Sequence, residues 1–249
     1  MTRFNRCTLF GFVLAALLSG QVNAGVVNGS FENFFNNWTQ NGPNTATTGI
    51  AGVTPTHLNR MAFISNGSGS LPLAVHGFIV DTNLGLASGT FAGAVQSAFP
   101  NATEGATFFQ SFALGNPGET CSITFDWNFL TNETTTVGQP GNNDFAFFGL
   151  VDGGGNIVAS GSVDVVGSTF IGASSPFAAQ TGWQSASITG LTGGQNFSLV
   201  FGVFDAGNSL IDSGLLVDNI QCQCVPEPSS AMLLGLATVS AVGFRRRRS

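Results

Sequence analysis

This chain offers few residue types that could carry out chemistry. His57 and His76 are its only imidazoles. Neither lies in a zinc-protease motif, and no Gly-x-Ser-x-Gly elbow presents a nucleophile. His57 follows Pro55-Thr56 in an expected loop, where a solvated histidine is the default. Carboxylates are more plentiful, with 13 Asp and Glu residues. Two of them could suffice for glycoside hydrolysis, although among thirteen some close pair arises by chance. Three tryptophans could stack on sugar rings. Trp127 shares parity with the apolar face of an expected strand and reads as core, which leaves Trp38 and Trp183 as the candidate stacking residues.

The charge distribution narrows the partners. The chain has seven basic residues, all arginine. Arg3 and Arg6 lie at the start, and Arg245, Arg246, Arg247 and Arg248 at the end. Between these groups Arg60 stands alone against all 13 acidic residues, a net charge of −12. Such a body repels nucleic acid and anionic membrane surfaces, because both are bound through basic patches. It suits divalent cations or neutral, hydroxyl-rich partners instead.

The elements that must position these groups read as strands. Of 249 residues 43% are hydrophobic, with 24 Phe and 34 Gly. That is ample apolar surface to bury, so disorder is excluded. Val, Ile, Phe and Thr recur in short runs between Gly, Asn, Pro and Asp clusters, the pattern of an all-β sandwich or barrel. Expected strands cover Val26–Phe31, Arg60–Ser65, Ala94–Phe99, Ala106–Leu114, Cys121–Leu130, Asp144–Val151, Asn156–Val166, Gly182–Ile188, Asn196–Phe204 and Leu215–Cys222. Asn41–Asn59 reads as a long loop. In the Cys121–Leu130 run, Cys121, Ile123, Phe125, Trp127 and Phe129 share one face. Asp152-Gly153-Gly154-Gly155 between two apolar runs predicts a hairpin turn. No repeat interrupts the body, and one sandwich of about ten strands accounts for it.

Both ends read as addresses. Residues 1–24 have the order of a secretory signal: Arg3 and Arg6, an apolar stretch Leu9–Leu18, then Val22-Asn23-Ala24 before a cut at Gly25. At the other end Val225-Pro226-Glu227-Pro228 precedes an apolar run, Ala231–Phe244, and the four arginines. That run is shorter than the roughly 20 residues of a full helical span. The arginines would hold it on the cytoplasmic side. Pro226-Glu227-Pro228, a short apolar helix and a basic tail resemble the PEP-CTERM sorting signal. The resemblance implies export, transient inner-membrane anchoring and processing by an exosortase-type membrane protease. It further implies a Gram-negative bacterium that makes exopolysaccharide. The chain thus divides into 1–24 signal peptide, 25–224 β-sandwich and 225–249 sorting signal.

Cys7 leaves with the signal, and export permits a disulfide among the rest. Cys121 and Cys222, at the ends of two expected strands, are the candidate pair, with Cys224 the alternative to Cys222. Cys222-Gln223-Cys224 lacks the spacing of a C-x-x-C redox or zinc motif.

The body resembles bacterial jelly-roll carbohydrate-binding modules. The residues that carry this are Asn28-Gly29-Ser30-Phe31-Glu32 with Trp38 soon after, Gln110-Ser111-Phe112, Ile123-Thr124-Phe125-Asp126, Trp183, and Leu216-Val217-Asp218-Asn219-Ile220. The resemblance implies a structural calcium held by Glu32 and Asp218, and the scarcity of basic partners agrees with it. A second stretch, Phe125 to Glu133 followed by Asn143-Asp144-Phe145-Ala146-Phe147, resembles the central block of choice-of-anchor exported domains. Its Glu133 and Asp144 flank the polar segment 134–142, an arrangement of oxygen donors that a hard cation favours.

The reading that follows is an exported, non-enzymatic, calcium-stabilised jelly-roll-like sandwich, delivered to the cell surface or the exopolysaccharide matrix. A carbohydrate-binding module is the alternative, and a glycoside hydrolase-like enzyme the third reading.

Overall fold

A computed structural model describes residues 25–133, 143–207 and 211–226. The expected signal helix at 1–24 and the terminal helix after Pro226 lie outside these residues, as does the 134–142 segment. Among the described residues the order is β1 (Thr39–Asn41), β2 (Asn44–Thr47), β3 (Met61–Ser65), β4 (Leu71–Pro72), α1 (Leu73–Leu84), α2 (Thr90–Ala98), β5 (Ala102–Leu114), β6 (Glu119–Thr131), β7 (Phe145–Asp152), β8 (Ile157–Asp164), β9 (Ile171–Gly172), β10 (Ala179–Gln180), β11 (Gln184–Thr192), β12 (Gln195–Ala206) and β13 (Ser213–Pro226). One sheet runs β1-β5-β12-β7-β8, with β4 beside β5. The other runs β2-β3-β13-β6-β10-β9, with β11 also on β6. All of the strand pairs are antiparallel. The fold is therefore the expected antiparallel β-sandwich.

The alternation in β6 places its odd-numbered residues inward. Cys121, Ile123, Phe125 and Phe129 are buried in the core between the sheets. There Phe125 of β6 meets Phe201 of β12 at 5.0 Å between ring centres, and Phe201 stacks on Phe108 of β5 at the same distance. These rings join the two sheets. The Asp152 turn forms as predicted: its Oδ1 accepts N–H bonds from Gly154 and Asn156 at 2.9 and 2.8 Å and closes the β7–β8 hairpin.

Two expected strands are not formed. The expected strand at Val26–Phe31 is a series of turns, with Asn28, Phe31, Phe34 and Asn37 all at positive φ. The buried apolar side chains of this segment, Phe31, Phe35 and Trp38, are spaced by four and three rather than by the two of a strand. Gln110 holds this segment down through Val27 N–H, Val27 C=O and Asn37 C=O. Gly29 sits so close to β13 that a Cβ there would fall 2.2 Å from the Ile220 carbonyl oxygen.

The expected strand at Ala94–Phe99 belongs to helix α2 instead. Phe91 and Val95, one helical turn apart, bury on the outer face of the β5-β12-β7 sheet beside Leu73 and Val80 of α1. The Asp81 carboxylate accepts the Gly89 and Phe91 N–H groups at 2.7 and 2.9 Å, which ties the end of α1 to the start of α2. The 41–59 region is loop apart from Asn41 and β2.

Candidate functional site

Glu32 and Asp218 both reach the loop before β3. Glu32 Oε1 accepts N–H bonds from Asn59 and Arg60, each at 2.7 Å. The Asn59 N–H is the main cause that holds the Glu32 carboxyl below its usual range. Asp218 Oδ2 accepts the Thr56 and His57 N–H groups at 2.8 Å, and its Oδ1 accepts its neighbour Asn219 N–H at 2.7 Å. Asp218 is fully buried. Backbone N–H groups thus bond Glu32 Oε1 and both oxygens of Asp218, and the two carboxylates clamp residues 56–60. His57 completes the clamp through Ser30, with Oγ to Nδ1 at 2.6 Å.

Trp38 is 6% exposed and packs on Phe31 and Phe108, so it is core and unavailable for stacking on a sugar. Trp183 is half-buried at the rim of the other sheet, where its indole N–H donates to Thr54 C=O at 3.0 Å. It lines a shallow hollow with Gly52–Thr56, Gln180 and Gly182.

The disulfide joins Cys121 to Cys224, and Cys222 is unbridged. The expected bridge between the middle of the chain and its last strand is present, but its partner is Cys224 rather than Cys222. A one-residue bulge decides this. The β13–β6 register pairs Asp218 with Asp126, slips at the bulge, and resumes with Gln221 opposite Thr124, which sets Cys224 directly across from Cys121. Their Cα atoms are 4.0 Å apart. Cys222 lies opposite Ile123 and takes the Val26 N–H on its sulfur.

The other expected acidic pair does come together. Asp144 donates its N–H to Glu133 Oε2 at 3.0 Å. Sequence reasoning missed two companions. Asp205, the last residue but one of β12, and Asn66, just after β3, complete a cluster with them. Asn66 Nδ2 donates to Asp144 Oδ2 at 2.7 Å and to Asp205 Oδ1 at 2.6 Å. Asn66 Oδ1 accepts the Ser213 N–H at 2.6 Å, which sets the orientation of the amide. Asp144 Oδ1 accepts the Ala206 N–H at 3.1 Å.

Asp144, Asp205 and Asn66 are 0%, 1% and 2% exposed. Burial, and then the Glu133 carboxylate, push Asp144 up to about 7. Burial, and then the charges of Asp144, Glu104 and Asp212, push Asp205 up to about 9. Burial also raises Glu133. The one available signal for Asp205 is a carboxylate directly after the apolar run Leu199–Phe204.

Among the described residues, the one set of three acidic, cysteine or histidine ligand atoms within 4.8 Å of each other is Glu119, Cys121 and Cys224. Two of those are spent in the disulfide, so it is no metal site.

β13 ends in Val225 and Pro226, which still pair with Thr120 and Glu119 of β6. The tail therefore leaves the sandwich straight from a stapled strand. Residues 225–248 match the PEP-CTERM protein-sorting motif. The motif implies export, a C-terminal membrane anchor before processing, and an exosortase as the processing membrane protease. Of its signature residues Pro226 is described, while Glu227, Pro228 and Arg245–Arg248 lie outside the described residues. No helix among the described residues is long and apolar enough to cross a membrane.

No curated protein matches the chain. Among solved structures, one similar chain is the enzymatically active domain of bacteriophage CBA120 tailspike protein 4, at 17% identity and a TM-score of 0.40 over 82% of this chain and 22% of that one. A family 61 carbohydrate-binding module in complex with β-1,4-galactotriose is similar at 12% identity and a TM-score of 0.41, over 80% of this chain and 96% of that one. The K1 cleaved adhesin domain of Lys-gingipain from Porphyromonas gingivalis W83 is similar at 12% identity and 0.40, over 80% and 96%.

Proposed function

We propose that this chain is an exported, non-enzymatic β-sandwich, sorted through its tail to the cell surface or the exopolysaccharide matrix, where it serves as a structural component. The observation that carries this reading is the sorting motif joined without a linker to the last, disulfide-stapled strand. Burial supports a role without catalysis: the close carboxylates Asp144 and Asp205 are sealed from any glycan. The test is to express the full chain in an exosortase-bearing Gram-negative host and in its exosortase deletion. Intact mass of the exported protein is expected to show loss of Arg245–Arg248 only in the first. Mature protein that keeps those arginines in both strains would overturn the sorting part of the reading.

Carbohydrate binding is the second reading, and the half-exposed Trp183 indole beside its hollow is the observation that favours it. Glycan-array binding that is lost in Trp183→Ala would establish that role in place of a structural one.

A further inference from the structure

One end of the sandwich gathers carboxyl groups for which the fold supplies no basic partner. Asn66 follows β3, Glu133 follows β6, Asp144 precedes β7, Asp205 is the last residue but one of β12 and Ser213 opens β13. Strand ends from both sheets thus meet at one point. Asn66 holds an oxygen of Asp144 and an oxygen of Asp205 against a single amide nitrogen. The second Asp205 oxygen, Oδ2, is buried and has no hydrogen-bond partner, one of two such side-chain oxygens among the described residues. An unpaired buried carboxylate oxygen is costly to leave unsatisfied.

Nothing basic is at hand to satisfy it. Arg60 is the only arginine or lysine among the described residues, and it is engaged elsewhere, over the Phe34 ring and on Ala46 C=O. Glu104 and Asp212 add further negative charge around Asp205.

We propose that Asp144 and Asp205, bracketed by Asn66 and with Glu133 beside them, form a calcium site that ties the two sheets together at this end of the sandwich. The candidate ligand atoms are the carboxylate oxygens of Asp144, Asp205 and Glu133, which select a hard cation over zinc or copper. Calcium accepts six to eight oxygens in adaptable geometry, whereas magnesium demands an octahedron and sheds its waters reluctantly. A sealed site of carboxylates therefore favours calcium. The site is separate from the Glu32–Asp218 clamp on residues 56–60. It does not depend on where the protein is sorted.

The test uses the exported protein, first stripped with EDTA. Native mass spectrometry and thermal unfolding are then recorded with calcium and, separately, with magnesium. One bound calcium per chain is expected, with an unfolding midpoint several degrees above that in EDTA and a smaller shift in magnesium. Asp205→Asn preserves shape and cannot ionise. It is expected to fold in EDTA at least as stably as the wild type, because no buried carboxyl has to be held in its protonated form, and to lose both the bound ion and the calcium shift. Asp152→Asn, on the exposed hairpin, should keep both. A wild type that binds no calcium and shows no shift would mean that the two aspartates share only a proton, and the proposal fails. A shift that survives Asp205→Asn but vanishes in Asp218→Asn would move the ion to the clamp and likewise overturn it.

Discussion

Removing the Cys121–Cys224 bridge should cost this fold a large share of its stability, whereas removing Cys222 should cost little. The bridge joins residues 103 positions apart. In the chain-entropy account a closed loop of that size is worth about 4.7 kcal/mol at 25 °C, since its absence returns that freedom to the unfolded chain. For a domain of roughly 200 residues each kcal/mol moves the unfolding midpoint by about 2–4 °C, so the loss comes to about 10–20 °C. Cys222 forms no bridge, and its half-buried thiol, raised by burial, receives only the Val26 N–H at 3.5 Å. The assay is thermal unfolding by circular dichroism for Cys121→Ser, Cys224→Ser and Cys222→Ser, with non-reducing peptide mapping of the wild type. Cys121→Ser and Cys224→Ser should fall together, and Cys222→Ser, a near-isosteric change at a half-buried site outside the bridge, should stay within about 1 kcal/mol of wild type. A midpoint that drops in Cys222→Ser and holds in Cys224→Ser, or a mapped Cys121–Cys222 peptide, would refute the register argument.

Acid should weaken the fold partly through His76, which is fully buried against the Phe204 ring and bonded through Nε2 to the Gly105 carbonyl and through Nδ1 to the Thr107 hydroxyl. Burial lowers its pKa from 6.5, so the unfolded chain takes up the proton first. Its contribution is present above about pH 6.5 and is lost as pH falls through that value toward the lower folded one. Urea unfolding across pH 7.5 to 5 should therefore show a steeper loss in wild type than in His76→Gln, and parallel curves would sink the claim. Phe201→Ala, which empties a 1%-exposed site between Phe108 and Phe125, should cost about 3–5 kcal/mol in urea unfolding. A loss under 1 kcal/mol would mean that these rings do not hold the sheets together.

Sequence alone was enough wherever the deciding physics was local. The period of two in Cys121–Phe129 identifies both the strand and its buried face, because alternation is a property of each residue's own backbone. The Asp152 turn is legible because its side chain bonds groups only two and four residues away. The tail motif is legible because it is read as a linear signal. Glu133 and Asp144 stand out because they bracket one short segment.

Tertiary structure decided the rest. Cys222 and Cys224 have the same parity, so alternation cannot choose between them. The bulge after Asp218 shifts the β6 register by one residue and makes the choice. Phe91 and Val95 look equally apolar in a strand or a helix, and only the uncovered outer face of the β5-β12-β7 sheet gives their helical spacing something to bury against. Glu32 and Asp218 are far apart in the sequence, and only the folded chain brings the N–H groups of residues 56–60 onto both. Asp205 and Asn66 lie 139 positions apart, and no local pattern links them. They meet Asp144 because both sheets, once packed through Phe125 and Phe201, bring their strand ends to one place. Contacts of that range follow from register and packing, which a chain acquires only when the whole sandwich closes.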